Sequence, residues 1–300
     1  MKRRDFLKTA AITGAALSVT ASLEPLIGVL QAAEAADLAV VRGPSPTRIV
    51  RAAIDGMGGI NKFISRGDVV VIKPNIGWDR TPEYAATTNP EVVVALIGLC
   101  LEAGAKKVKV FDRSVNDPRR TYKQSGIADA AAKAGAEVSH VDDRKYREMK
   151  INGQILKTWP VYIDVIEADK VINVPIAKHH SLSTLTLGMK NWMGVIGGSR
   201  GRIHQNVDEC LVDLAAFFKP SFVVLDAVRI LTANGPQGGW LPDVKRLDTV
   251  IVGRDQVAVD AYGTTLFGMK EGTLGCVRLG QQRRLGNMNL SKLKIKRINL

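Results

Sequence analysis

Between positions 174 and 205 the chain gathers Lys178, His179, His180, Lys190, Asn191, Arg200, Arg202 and His204, which include three of its four histidines. Histidine exchanges protons near neutral pH, while lysine and arginine hold carboxylates or phosphates. His180, Lys178, Lys190 and His204 are therefore the candidate catalytic groups, with Asn191 and Arg200 as candidate substrate contacts. His179 and His180 are adjacent, so one of the two faces inward and the other is solvated. The plain alternative is a surface loop whose cations are merely hydrated.

Two further segments end in polar groups. The β-branched run 69–72 leads into Lys73-Pro74-Asn75, which puts a cation and an amide at a strand's carboxyl end, and the run 221–226 closes on Asp226. In a parallel sheet such ends share one rim, where open α/β sheets bind ligands. Lys73 and Asn75 thus join the substrate-binding candidates. So do Gly235, Gly238 and Gly239 of the loop 232–240, since glycines let backbone amides approach a ligand. Asp226, Asp255 and Asp260 are the candidates for a metal ligand or for orienting a histidine. Asp255 reads equally as the cap of the helix after it, and Asp260 as an internal ion pair.

Several chemistries lack their signature. The sequence holds no G-x-S-x-G, G-x-x-x-x-G-K-[ST] or H-E-x-x-H pattern. Its three cysteines form no C-x-x-C, so this chain alone builds neither an iron–sulfur cluster nor a cysteine zinc site. No cofactor is named by these residues.

The elements that must position these groups alternate. Helix patterns over 46–64, 88–102 and 122–134 are followed by strands over 69–72, 107–112 and 137–142, and further strands are expected at 169–175, 221–226, 248–253 and 292–298. Asn89 followed by Pro90 marks a helix start. Residues 144–168 break the rhythm with a hairpin turning at Asn152-Gly153. The expectation is a single α/β domain over 37–300, a mostly parallel sheet of about seven strands flanked by helices, with a small hairpin excursion. Within it, the strand 169–175 is expected to empty into a polar loop, followed by a short helix and a glycine-rich loop.

The amino terminus reads differently. Lys2-Arg3-Arg4 opens a charged segment, a mildly apolar run follows, and Ala33-Glu34-Ala35 offers a small-x-small cleavage site. Residues 1–36 resemble a twin-arginine export signal, which makes the export machinery a partner and the periplasm the destination; an uncleaved membrane tether is the competing reading. The formal net charge of +13 falls only to about +12 without this segment. That balance favours acidic partners, above all an anionic small molecule, and no motif for nucleic acid accompanies it.

Taken together, Lys73-Pro74-Asn75, Lys178-x-His180, Lys190-Asn191-x-x-Gly194, His204, Asp226, Gly235-Pro236-x-Gly238-Gly239 and Asp255-x-x-Ala258-x-Asp260 resemble domain-of-unknown-function family 362 over 40–270. The resemblance implies a shared pocket at these positions but no established activity. Many members carry an appended ferredoxin-like cysteine segment, which this chain lacks. The expected function is an enzyme acting on an anionic small molecule, with a metal-assisted step as one option. The alternatives are a periplasmic binding or carrier protein, or an accessory partner of an iron–sulfur redox protein.

Overall fold

Alternate side chains of the strands face opposite sides of the main sheet, and both faces are covered by hydrophobic core. A computed structural model describes residues 36–300. The export segment expected at 1–36 lies outside the described residues apart from Ala36.

The chain enters on strand β1 (Leu38–Arg42), followed by the helix Pro46–Gly56, whose N-cap is the Ser45 hydroxyl. β2 (Val69–Pro74) and β3 (Lys107–Val110) flank the helix Pro90–Glu102, started by Asn89 as its sequence requires. The pattern over 122–134 resolves into two short helices, Pro118–Gln124 and Ile127–Lys133, because Gly126 takes a left-handed conformation between them. β4 (Glu137–Val138) is followed by the hairpin of β5 (Tyr146–Lys150) and β6 (Thr158–Tyr162). That excursion is present, with its second strand lying later than the turn signal suggests.

β7 (Lys170–Val174) passes through Pro175 into β8 (Ile176–His180), which folds back on β9 (Thr184–Thr186). The polar loop expected here is thus a second hairpin. β10 (Phe222–Leu231) and β11 (Val244–Gly253) are long strands, and β12 (Ile295–Asn299) supplies the expected edge.

The path through the sheet runs β12-β1-β11-β10-β7-β2-β3-β4. The half from β10 to β4 is parallel, whereas β11 is antiparallel to both β10 and β1. β8 adds to β10 in parallel. The sheet is therefore mixed, mostly parallel where it carries the site, and it has ten strands instead of seven. Val70, Ile72, Ile172, Val224 and Val252 point to the core under the helices Pro46–Gly56 and Pro90–Glu102. Leu38, Val223, Leu225 and Ile251 point to the opposite core, under Val207–Phe217 and Gln256–Thr265. This period of two is what a sheet buried on both faces requires.

Candidate functional site

Lys73 lies on the opposite pleat from Ile72 near the carboxyl end of β2, and its ammonium is 1% exposed. Nζ meets Asp112 Oδ1 at 2.9 Å and donates to Asn191 Oδ1 at 2.8 Å and to the Pro74 carbonyl at 2.9 Å. Burial pulls this ammonium's pKa down and Asp112 opposes the pull. Asp112, just past β3, also accepts from the Ile76 amide at 2.6 Å.

The pattern Lys190-Asn191-x-x-Gly194 has a physical reason at each position. The helix Gly188–Asn191 is held at its start by Asp260, whose carboxyl accepts from the Gly188 and Met189 amides at 2.6 and 2.9 Å. That anchor puts Asn191 beside Lys73 and Lys190 on the cavity wall. A Cβ on Gly194 would overlap Asp112 Oδ1 and stand 2.8 Å from Lys73 Cε, so only glycine leaves room for the ion pair.

Lys178 on β8 is equally buried and has no carboxylate partner among the described residues. Nζ donates to Asn75 Oδ1 at 3.3 Å and to the Ala86 carbonyl. Asn75 Nδ2 donates in turn to Asn191 Oδ1 at 3.2 Å, so the two lysines share one amide network. Burial pushes Lys178 down to about 7, with Asp112 opposing the shift and Lys190 and Lys73 adding to it. Lys190 is pushed down to about 8 by burial. Its Nζ sits 3.1 Å from His204 Nε2.

The tautomers follow from the neighbours. His204 Nδ1 lies 3.1 Å from the Gly201 carbonyl, which can only accept, so Nδ1 carries the proton and Nε2 faces Lys190 with its lone pair. His180 Nδ1 accepts from the Leu182 amide at 3.1 Å, which leaves the proton on Nε2. Burial and Lys190 press the His180 pKa down to about 3, so it is a neutral donor at physiological pH. The two imidazoles stack at 5.6 Å.

These groups line one cavity of about 440 Å³, a volume suited to a small molecule. Lys73, Lys178, Lys190, Arg113 and Arg200 face a single carboxylate there, Asp112. Trp78, Met193, Thr186 and Pro236 are among the other residues of its wall. Thr186 Oγ1 is buried and has no hydrogen-bond partner among the described residues.

Several candidates stand elsewhere or do other work. Arg200 lines the cavity, but its guanidinium is occupied by the Arg113, Ser114 and Met193 carbonyls, so it braces the loop around the cavity. Asn191 and Lys73 are likewise engaged by protein groups, as positioning residues. His179 turns away from the cavity, its Nδ1 accepting from the Gly235 amide at 3.0 Å. Gly235, Gly238 and Gly239 do not line the cavity. An added Cβ would strike the His179 carbonyl at Gly235 and crowd Leu231 at Gly238 and Arg80 at Gly239, so these glycines serve packing of the chain on itself.

The three candidate metal ligands are also corrected. Asp226 accepts from the Asn89 and Val228 amides at 2.7 and 2.9 Å, burial raising it to about 6, and it ties the helix Pro90–Glu102 to β10. Asp255 caps Gln256–Thr265, and Asp260 is the anchor described above, raised by burial to about 7. None lines the cavity, and no group of three or more His, Cys, Asp or Glu able to hold a metal occurs among the described residues. Asp112 and Thr186 were not singled out from sequence. Asp112 carried the same signal as Lys73, a polar residue closing a parallel strand; Thr186 carried none.

Comparison with known proteins places this geometry in context. The family model described as "Domain of unknown function (DUF362)" matches residues 70–265. A thylakoid-associated protein of Synechocystis sp. is 26% identical over 245 residues, covering 79% of this chain and 74% of its own. Among solved structures, the lactate racemase apoprotein of Thermoanaerobacterium thermosaccharolyticum aligns with TM-score 0.42 at 12% identity, over 64% of this chain and 50% of that one. A structural-genomics protein of Thermotoga maritima aligns at 0.42 with 11% identity, over 80% of this chain and 60% of that one. The chain thus spans less than two thirds of the length of either solved protein.

Proposed function

The chain belongs to the family described as Domain of unknown function (DUF362), and we propose that it is an exported enzyme acting on a small anionic molecule. The observation that carries this reading is the cavity itself, where five basic side chains surround one carboxylate already engaged by Lys73. Lys190 is an ammonium with no carboxylate partner among the described residues, and His180 Nε2 is a neutral hydrogen-bond donor on the same cavity. Simple anion capture needs cations alone. Two stacked imidazoles with opposite tautomers, one donor and one acceptor, equip the cavity to move a proton as well.

Calorimetric titration with inorganic phosphate and small carboxylates tests the anion site. Binding of at least one in the millimolar range or tighter, weakening above about pH 8, is expected. No binding by any of them would sink the reading. Enzyme and carrier separate on His180→Ala, which is expected to abolish turnover of a bound ligand while lowering affinity only several-fold; parallel loss of both would favour a carrier. Export through residues 1–36 is part of the proposal. Amino-terminal sequencing of the periplasmic fraction is expected to begin near Asp37, and recovery of intact chain in the cytoplasm alone would remove it.

A further inference from the structure

We propose that Lys178 forms an imine with a small 2-oxo acid, its Nζ attacking the carbonyl carbon while Lys190 and Thr186 hold the carboxylate. The inference rests on the anion-site reading and adds the reacting group and the substrate class. Lysine attacks only as the free amine, and an amine has two N–H bonds and one lone pair. Both N–H bonds of Lys178 are spoken for, by Asn75 Oδ1 and the Ala86 carbonyl, so the lone pair is the valence left at a nitrogen on the cavity wall. The cavity's one carboxylate, Asp112, is engaged by Lys73. Burial and the neighbouring Lys190 and Lys73 favour the neutral form of Lys178 against the opposing pull of Asp112, in line with a pKa near 7.

Thr186 is a second, independent pointer. It pairs with Lys178 across β8 and β9, so both side chains stand on one face of the hairpin as direct neighbours. Thr186 is 4% exposed and lines the cavity, and its buried hydroxyl has no hydrogen-bond partner among the described residues. A buried hydroxyl left unbonded costs free energy that a ligand oxygen beside Lys178 would recover. A ligand that satisfies all three features carries an electrophilic carbonyl carbon directly attached to an anionic oxygen pair, which is a 2-oxo acid.

The step balances. The Nζ lone pair forms the N–C bond, and the carbonyl π pair takes a proton to become a hydroxyl. That proton comes from the nitrogen; the hydroxyl then leaves as water with a proton from the Lys190 ammonium on the same cavity wall, and Lys190 recovers a proton from the remaining N–H of Lys178 as the C=N bond forms. Amine and 2-oxo acid are thus converted to imine and water, with no oxidant or reductant.

Trapping tests it. The protein is incubated with pyruvate or 2-oxoglutarate and sodium borohydride, and then digested and mapped by mass spectrometry. Hydride reduction is expected to leave a carboxyalkyl group on Lys178, absent without the acid and absent in Lys178→Met. Thr186→Val, which keeps side-chain size, is expected to slow trapping at least tenfold. Calorimetry with the same acids, without borohydride, separates the failures. Acids that bind but leave Lys178 unmodified, or that modify only surface lysines, overturn the imine and leave the anion site standing. Acids that do not bind at all overturn the imine, and the anion site falls with it when inorganic phosphate does not bind either.

Discussion

Asp112→Asn is expected to destabilise the protein by ~3–5 kcal/mol, because it strips a buried ammonium of its counter-charge. Lys73 and Asp112 are 1% and 3% exposed, with Nζ and Oδ1 2.9 Å apart. The asparagine oxygen can still accept from the Ile76 amide, so that contact survives. Its amide nitrogen, however, then points donor to donor at Lys73. For a domain of this size the loss corresponds to a fall in Tm of roughly 5–15 °C. Lys73→Met added to Asp112→Asn removes the orphaned charge and is expected to recover more than half of the loss. Urea unfolding of the four proteins of this cycle measures the coupling directly. Additive effects would show that the two side chains do not act as a pair.

The same pair shows where the sequence was readable. Lys73 and Lys178 were identified from strands that end in polar residues, and β2, β7 and β8 do bring such ends to one rim. The rule failed at Asp226 for a geometric reason. β10 continues to Leu231, so Asp226 is an interior residue of a ten-residue strand whose carboxyl serves backbone amides. The hairpin of β8 and β9 was illegible because Lys178, His179 and His180 have no strand-like apolar pattern; pairing with β10 and β9 supplies the burial. The glycine-rich loop misled in the opposite direction. Glycine signals a close approach, but the sequence cannot say whether the approaching group is a ligand or, as at Gly235, the His179 carbonyl. Asp260 makes the same point from a distance of seventy-odd positions. Its role, anchoring Gly188–Asn191, exists only once the helix Gln256–Thr265 is packed on that turn.

Lys190→Met is expected to weaken anion binding ~10–100-fold at pH 7, the worth of one charge-assisted hydrogen bond. Lys190 has a nitrogen and a sulfur partner, His204 Nε2 and Met193 Sδ, and neither neutralises it. Its pKa near 8 also gives the pH dependence a sign. Below about pH 8 the ammonium is present and affinity is high; above it, binding must draw a proton from solution and affinity falls as pH rises. Lys190→Met therefore removes the alkaline fall along with the affinity, and calorimetry across pH 6–10 would read both. A wild-type slope persisting in Lys190→Met would exclude Lys190 as the titrating group. Lys178 has the opposite requirement, since its amine reacts only when unprotonated, above about pH 7. Imine trapping needs both lysines in their respective states, and is expected to peak between about pH 7 and 8. Two buried lysines of one cavity, set apart by their surroundings, would thereby divide the work of holding the anion and attacking the carbonyl.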